Sequence, residues 1–132
     1  MSWPAVFIAF FVSHLLGDYL LQTDWQATHK RGGLGRDPVA RRALLGHSLS
    51  YGTAFVPALV WLSGRLGWST LVIAAAVVLP HMAQDDGRVL RAYMRRVKRM
   101  DPVANHVVAA LVDQALHMVA LFGAALLVGA LR

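Results

Sequence analysis

Residues 4–23 read PAVFIAFFVSHLLGDYLLQT, and they are the first of four long apolar stretches in the chain. About 20 helical residues are needed to cross the hydrocarbon core of a bilayer, which is about 30 Å thick. The other three stretches cover approximately residues 43–63, 68–86 and 103–131. Because open strands cannot satisfy their backbone hydrogen bonds in lipid, each stretch is predicted to be a helix. The expected fold is an all-α integral membrane protein, a single domain over residues 1–132 built as a four-transmembrane-helix bundle.

The composition supports a membrane protein and excludes several other classes. The chain has 132 residues, of which 57% are apolar and 15% are charged, and it contains no cysteine. A soluble domain usually has about 25% charged residues. A soluble enzyme, a disordered chain and a disulfide scaffold are therefore excluded. Residues 4–23 have no basic segment before them and no small-residue cleavage site after them, so we expect a retained helix and not a signal peptide.

The basic residues predict the topology, because Lys and Arg accumulate in the cytoplasmic loops of membrane proteins. Two loops contain most of them, namely Lys30, Arg31, Arg36, Arg41 and Arg42 in the first and Arg88, Arg91, Arg95, Arg96, Lys98 and Arg99 in the second. Only Arg65 and Arg132 lie elsewhere. We therefore expect both basic loops in the cytoplasm and both termini outside. This topology explains the formal charge of +6 without a nucleic-acid partner.

Local signals predict helix ends and one further helix. Pro4 suits a first helical turn, Asp101 and Pro102 form a candidate N-cap and N1 pair for the fourth stretch, and Ser63-Gly64 is expected to close the second. Residues 88–99 mix cations with apolar side chains such as Leu90 and Met94. They are predicted to form an interfacial amphipathic helix on the anionic inner leaflet.

Seven ionisable side chains fall inside the apolar stretches, where each costs free energy and requires a partner or a function. They are His14, Asp18, His47, His81, Asp85, Asp113 and His117. Six of them form three pairs spaced four residues apart, so the members of each pair lie on one helical face. The antiparallel helices bring most of the set to the cytoplasmic half. Asp113 lies eleven residues beyond Pro102, about 16 Å along the helix, and is expected to form the floor of the site.

Four imidazoles and three carboxylates converging in a bundle predict a divalent metal site, with zinc first and manganese or iron also possible. Either two ions bind about 3.5–4 Å apart, or one ion binds and the spare carboxylates orient ligands and act as the base. Asp18 and Asp85 are the candidate catalytic carboxylates. The expected reaction is hydrolysis of a phosphate or carbonyl ester in a lipid-like substrate. Candidate substrate-binding residues are Gln22, Lys30, Arg88 and Gln114.

Other interpretations remain open at this point. The same residues can be interhelical hydrogen-bonding groups in a structural or assembly protein, or they can line the path of a metal-ion or proton transporter. A haem carrier would use paired His but would gain nothing from the neighbouring carboxylates. The hydroxyl of Tyr51 is expected to bond its own helix or to contact substrate. Ala125 and Gly129, spaced four apart, indicate close packing or a homodimer face.

Four motifs resemble a known family. In chain order they read FFVSHLLGDYLLQTDWQATHK, LLGHSLSYG, LPHMAQDDGR and LVDQALHMVAL, and the resemblance covers residues 7 to about 121. They resemble the bacterial membrane family catalogued as domain of unknown function 3307, and more loosely the membrane-bound metal-dependent hydrolases. The resemblance implies a small multi-helix protein of the inner membrane and supplies no activity. One departure is Asp86 beside Asp85, which leaves open which carboxylate faces the site.

Overall fold

The computed structural model describes residues 2–131, so Met1 and Arg132, one of the basic residues counted above, lie outside the described part. Within that part helices account for 80% of the chain and there is no strand, which confirms the all-α prediction. The elements in chain order are α1 Trp3–Leu15, a π-helical turn Leu16–Leu20, α2 Asp24–His29, α3 Pro38–Leu66, α4 Ser69–Asp85, α5 Arg88–Arg96 and α6 His106–Ala130.

Three segments are long and apolar enough to cross a membrane: Trp3–Leu20, Pro38–Leu66 and His106–Ala130. Three of the four predicted spans therefore have the length and composition of membrane spans, whereas residues 68–86 do not, because α4 has only 17 residues and extends about 25 Å. The outward faces of the helices are apolar. Ile8, Leu49 and Val119, for example, are all more than half exposed. Such a surface suits lipid and would be unusual on a soluble monomer.

Helix α3 extends beyond the predicted stretch at both ends. It begins at Pro38 because the Asp37 carboxylate accepts hydrogen bonds from the backbone N–H of Val39, at 2.8 Å, and of Ala40, at 3.3 Å. Arg41 and Arg42, predicted to lie in the loop, are therefore helical. The expected end at Ser63-Gly64 is wrong. The helix continues to Leu66 and ends at Gly67, whose φ of 51° is readily adopted only by glycine.

Helix α6 begins later than predicted. Asp101 and Pro102 belong to a turn that precedes the helix, in which Asp101 Oδ2 accepts a hydrogen bond of 2.9 Å from Ala104 N. The helix itself begins at His106, so the prediction of Asp101 and Pro102 as its cap pair is wrong by about one turn. At the other end of the chain, Pro4 lies in the first turn of α1, as predicted.

The four long helices form a ring in which α1 packs between α3 and α6, and α4 packs between the same two neighbours. Contacts run in opposite directions along α1 and α3, since Phe10 meets Phe55, His14 meets Tyr51 and Asp18 meets His47. One end of the bundle is an apolar core that includes Val6, Phe10, Phe55, Leu62, Ile73, Leu121, Ala125 and Val128. The other end contains the His and Asp side chains.

Helix α5 folds under the polar end of the bundle. Its apolar residues Leu90 and Met94 are buried against Ala109 of α6. The helix predicted over residues 88–99 therefore exists, but part of its apolar face packs on the protein and is not free to enter a leaflet. Val89, Tyr93 and Val97 remain 44%, 36% and 64% exposed.

Candidate metal centre

A compact group of four side chains lies between three segments of the bundle. Asp18 comes from the π-helical turn, His47 from α3, and His81 and Asp85 from α4; we call these four residues the primary cluster. One ligand atom from each lies within 4.8 Å of all the others. The Nε2 atoms of His47 and His81 are 3.1 Å apart. Such separations are those of atoms that share one ion at about 2.0–2.2 Å.

The carboxylates complete the primary cluster. Asp18 Oδ1 lies 3.1 Å from His47 Nε2 and 3.5 Å from His81 Nε2. Asp85 Oδ2 lies 3.0 Å from both of these nitrogens. None of its contacts with the described residues has the geometry of a hydrogen bond. Two carboxylates so deeply buried are costly unless cations compensate them. The donor set of two imidazole nitrogens and two carboxylate oxygens fits zinc, manganese or iron.

Local structure explains how these side chains are aimed. The π-helical turn Leu16–Leu20 widens the end of α1 at Asp18, and such turns often occur at functional sites. Asp18 and His14 still share one face, since Asp18 Oδ2 lies 3.7 Å from His14 Nε2. His81 is oriented by Tyr51, whose ring stacks on the imidazole with centroids 3.4 Å apart and planes 4° from parallel.

From the sequence, Tyr51 is expected to bond its own helix or to contact substrate, and not to contact the site histidines. Its hydroxyl contacts His14 Nδ1 at 3.1 Å and does not bond its own helix, contrary to one of the two roles expected. Gly17 permits this position, because a Cβ there would lie 2.7 Å from the Tyr51 ring. Gly17, between His14 and Asp18, is the sequence feature that points to this contact. A glycine there allows another helix to approach closely, but the sequence does not say which residue of that helix faces it.

His14 and His117 lie next to the primary cluster and are almost fully buried. His14 Nε2 is 3.1 Å from Gln114 Oε1, which links α1 to α6. His117 donates from Nδ1 to the backbone carbonyl of Asp113 at 2.8 Å, and its Nε2 lies 3.7 Å from Asp85 Oδ1. These two imidazoles occupy the deep side of the site.

Asp113 is not at the predicted floor. Its side chain is 25% exposed, and Oδ2 lies 4.0 Å from His117 Nδ1. It is on the wall of the cavity, one helical turn nearer the open end than His117. The depth estimate failed because α6 begins at His106, which moves Asp113 towards the end of the bundle.

A cavity of about 280 Å³ leads to the primary cluster. Three of the four predicted substrate-binding residues, Gln22, Lys30 and Gln114, are on its wall. Lys30 Nζ lies 2.9 Å from Asp85 Oδ2 and donates to Gln22 Oε1 at 2.6 Å. Arg88, the fourth, does not line the cavity, whereas Arg31 and Gln84, which we did not predict, do. The entrance is thus polar and cationic.

The adjacent carboxylates Asp85 and Asp86 have separate functions. Asp85 faces the primary cluster, while Asp86 Oδ1 accepts a hydrogen bond of 2.8 Å from Leu34 N. The Asp86 carbonyl also accepts from Gly32 N at 2.9 Å, and its Oδ2 lies 3.2 Å from Arg88 Nε. Asp86 therefore attaches the loop after α2 to the end of α4. This attachment holds the loop that begins at Lys30 close to the site.

Comparison with known proteins identifies the family. A family model described as a protein of unknown function (DUF3307) matches residues 6–131, a region that contains the primary cluster, His14 and His117. Neither the curated proteins nor the solved structures that were searched give a match. The family description names no activity, so the similarity to metal-dependent hydrolases stays a prediction. Since the match covers nearly the whole chain and agrees with the His and Asp motifs, the protein belongs to the DUF3307 family of unknown function.

Proposed function

We propose that this protein is an intramembrane metal-dependent hydrolase that acts on a phosphate or carbonyl ester in a lipid-like substrate. The observation that carries the proposal is the primary cluster, whose four ligand atoms lie within 4.8 Å of one another at the base of a polar cavity. A divalent ion there would supply a Lewis acid and an activated water. Zinc is the first candidate, and manganese or iron are the others.

The residues around the cluster have distinct parts in this proposal. Asp18 and Asp85 would hold the ion, and with a single ion bound the oxygens that do not ligate it, Asp18 Oδ2 and Asp85 Oδ1, would be free to take up a proton. Lys30 and Arg31 hold the anionic group of the substrate at the cavity wall. Gln22 positions the Lys30 ammonium through their 2.6 Å hydrogen bond.

The apolar end of the bundle favours hydrolysis over transport. A transporter requires polar groups through both halves of the membrane. Beyond Tyr51 and His14, the described interior is the apolar core around Phe10, Phe55 and Leu62, and Thr70 near the start of α4 is a single buried hydroxyl at its far end. The cavity therefore ends at the cluster, and a substrate enters and leaves from one side.

We propose that all four long helices are embedded in a bacterial inner membrane, with α4 shielded by α3 and α6 on its two sides. The 17 residues of α4 are at the lower limit of spanning lengths, and modest thinning of the bilayer accommodates such a helix. A homodimer would use exposed residues of α6 such as Gly129, since Ala125 is buried within the chain.

Both termini are expected on the outer side of the membrane, because the two basic segments lie together at the cavity end. Gly35, within the first segment, lies near Arg88 of the second, and Gly87, directly before the second segment, lies near Arg31 of the first. Alkaline phosphatase and fluorescent-protein fusions near Arg36 and at the C-terminus test this. Phosphatase activity is expected only at the C-terminus. Fluorescence of the C-terminal fusion would contradict this topology, because it would show that the C-terminus lies in the cytoplasm and the cavity outside.

The hydrolase proposal is tested with detergent-purified full-length chain loaded with Zn²⁺ or Mn²⁺. The probes are a chromogenic long-chain phosphate ester and the matched carboxylate ester. We expect turnover of one of them that chelator abolishes and that His47→Ala lacks. Arg31→Gln should raise KM for the anionic ester about tenfold with unchanged metal content, as expected for loss of a charged contact. Arg36→Gln, in the same loop, is the matched control. Bound metal without turnover of either ester would contradict a hydrolase of this class.

A further inference from the structure

We propose that a second divalent metal ion binds beside the primary cluster, held by His14 and His117 and by the remaining oxygens of Asp18 and Asp85. Both carboxylates would then bridge the two ions. This inference rests on the proposed function, because it places a second ion in the same site.

His117 provides the first argument. Its Nδ1 lies 2.8 Å from the backbone carbonyl of Asp113, and a carbonyl can only accept, so the ring proton is on Nδ1. Nε2 of the neutral ring is therefore a bare lone pair. It is buried, it has no hydrogen-bond partner among the described residues, and it lies 3.7 Å from Asp85 Oδ1. A lone pair facing a carboxylate oxygen in a buried site is unfavourable unless a cation lies between them.

His14 would be the second imidazole ligand of this ion. Its Nε2 lies 3.7 Å from Asp18 Oδ2 and 3.1 Å from Gln114 Oε1, and its side chain is fully buried. Without a metal ion, His14 Nε2 donates to Gln114 Oε1, and binding an ion would displace this proton and leave Nδ1 to donate to the Tyr51 hydroxyl. The amide oxygen of Gln114, beside His14 Nε2, is a further candidate ligand for the second ion.

The carboxylates divide their oxygens between the two positions. Asp18 Oδ1 and Asp85 Oδ2 face His47 and His81, whereas the opposite oxygens, Asp18 Oδ2 and Asp85 Oδ1, face His14 and His117. Each ion would thus have two imidazoles and two carboxylate oxygens. Bridging carboxylates in two-metal sites hold ions about 3.5–4 Å apart. Di-metal carboxylate proteins also build such sites inside four-helix bundles.

This arrangement accounts for the sequence pattern. Each of the two H-x-x-x-D pairs supplies one imidazole and one bridging carboxylate. His14 and Asp18 come from α1 and the π-helical turn that follows it, and His81 and Asp85 come from α4. The third pair, D-x-x-x-H, supplies only His117, whose Nδ1 donates to the backbone carbonyl of residue 113, a contact that any residue at that position provides. Carbonyls that orient ligating imidazoles in this way are common at metal sites.

The test titrates the purified, metal-free full-length chain in detergent with Mn²⁺, and measures bound metal per chain and the electron paramagnetic resonance spectrum. We expect two ions per wild-type chain and an exchange-coupled spectrum. His117→Ala should bind one ion and give an uncoupled six-line spectrum. His106→Ala, an exposed imidazole on the same helix, is the matched control and should behave as wild type.

The outcomes separate the two proposals. One ion per wild-type chain with an uncoupled spectrum overturns the second position and leaves the primary cluster standing. No bound ion overturns both. If His117→Ala is poorly folded, judged by circular dichroism and gel filtration, the wild-type stoichiometry and spectrum alone decide.

Discussion

Replacing Asp85 by Asn is expected to lower the affinity for a divalent metal by more than about 100-fold, beyond the range seen when only an outer partner is lost. Asn keeps the shape of the side chain but removes an anionic donor whose Oδ2 lies 3.0 Å from both His47 Nε2 and His81 Nε2. Metal content of the detergent-purified chain, measured by mass spectrometry, should fall from stoichiometric to background. Insertion should be unaffected, because a neutral amide is cheaper in lipid than a carboxylate. Asp18→Asn should act in the same direction.

The matched control is Asp86→Asn, since this carboxylate is adjacent, equally buried and bonded to Leu34 N and not to the cluster. It should retain metal while loosening the loop after α2. Asp37→Asn and Asp101→Asn, which change a helix cap and a turn, are more distant controls. If Asp85→Asn and Asp86→Asn lose the same amount of metal, the carboxylates at the cluster are interhelical hydrogen-bonding groups and the metal site is wrong.

Metal removal is expected to destabilise the folded chain by about 4 kcal/mol, compared with protein at a free metal concentration 1,000-fold above Kd. Without a metal ion, the buried carboxylates of Asp18 and Asp85 lie close together, and the Lys30 ammonium at 2.9 Å from Asp85 has to balance their charge together with the neighbouring imidazoles. Ligands from the π-helical turn, α3 and α4 meet at this point, so the ion ties these segments together. Thermal unfolding in detergent, followed by circular dichroism with and without chelator, measures the difference.

A variant that cannot bind metal separates this effect from any direct action of chelator on the protein. Asp85→Asn removes a carboxylate that faces both proposed metal positions, so its midpoint should not respond to chelator. His29→Ala, which removes an exposed imidazole on α2, should respond as wild type does. Identical wild-type midpoints with and without chelator would show that the cluster folds equally well without an ion.

The helices and the pairing of site residues could be read from sequence, because both depend on local spacing. Long apolar runs predict helices wherever backbone groups must be satisfied in lipid, and the four-residue spacing of His14 and Asp18 requires one helical face. The membership of His47 and His81 in one polar group followed from the cost of burying ionisable side chains among apolar neighbours. No comparable local signal marked the widened turn at Asp18 or the late start of α6.

The role of each residue at the site depends on contacts between residues far apart in the chain. Asp85 and Asp86 are neighbours with the same chemistry, and only the packing of the loop at Gly32 and Leu34 against the end of α4 assigns Asp86 to structure and Asp85 to the cluster. Tyr51 became a site residue through its stacking on His81, 30 positions later, which no periodicity encodes. Arg31 replaced Arg88 at the cavity wall because Asp86 pairs with Arg88. Spacing along a helix determines which side chains share a face, whereas the rotation, depth and ends of each helix, which packing sets, determine which atoms meet.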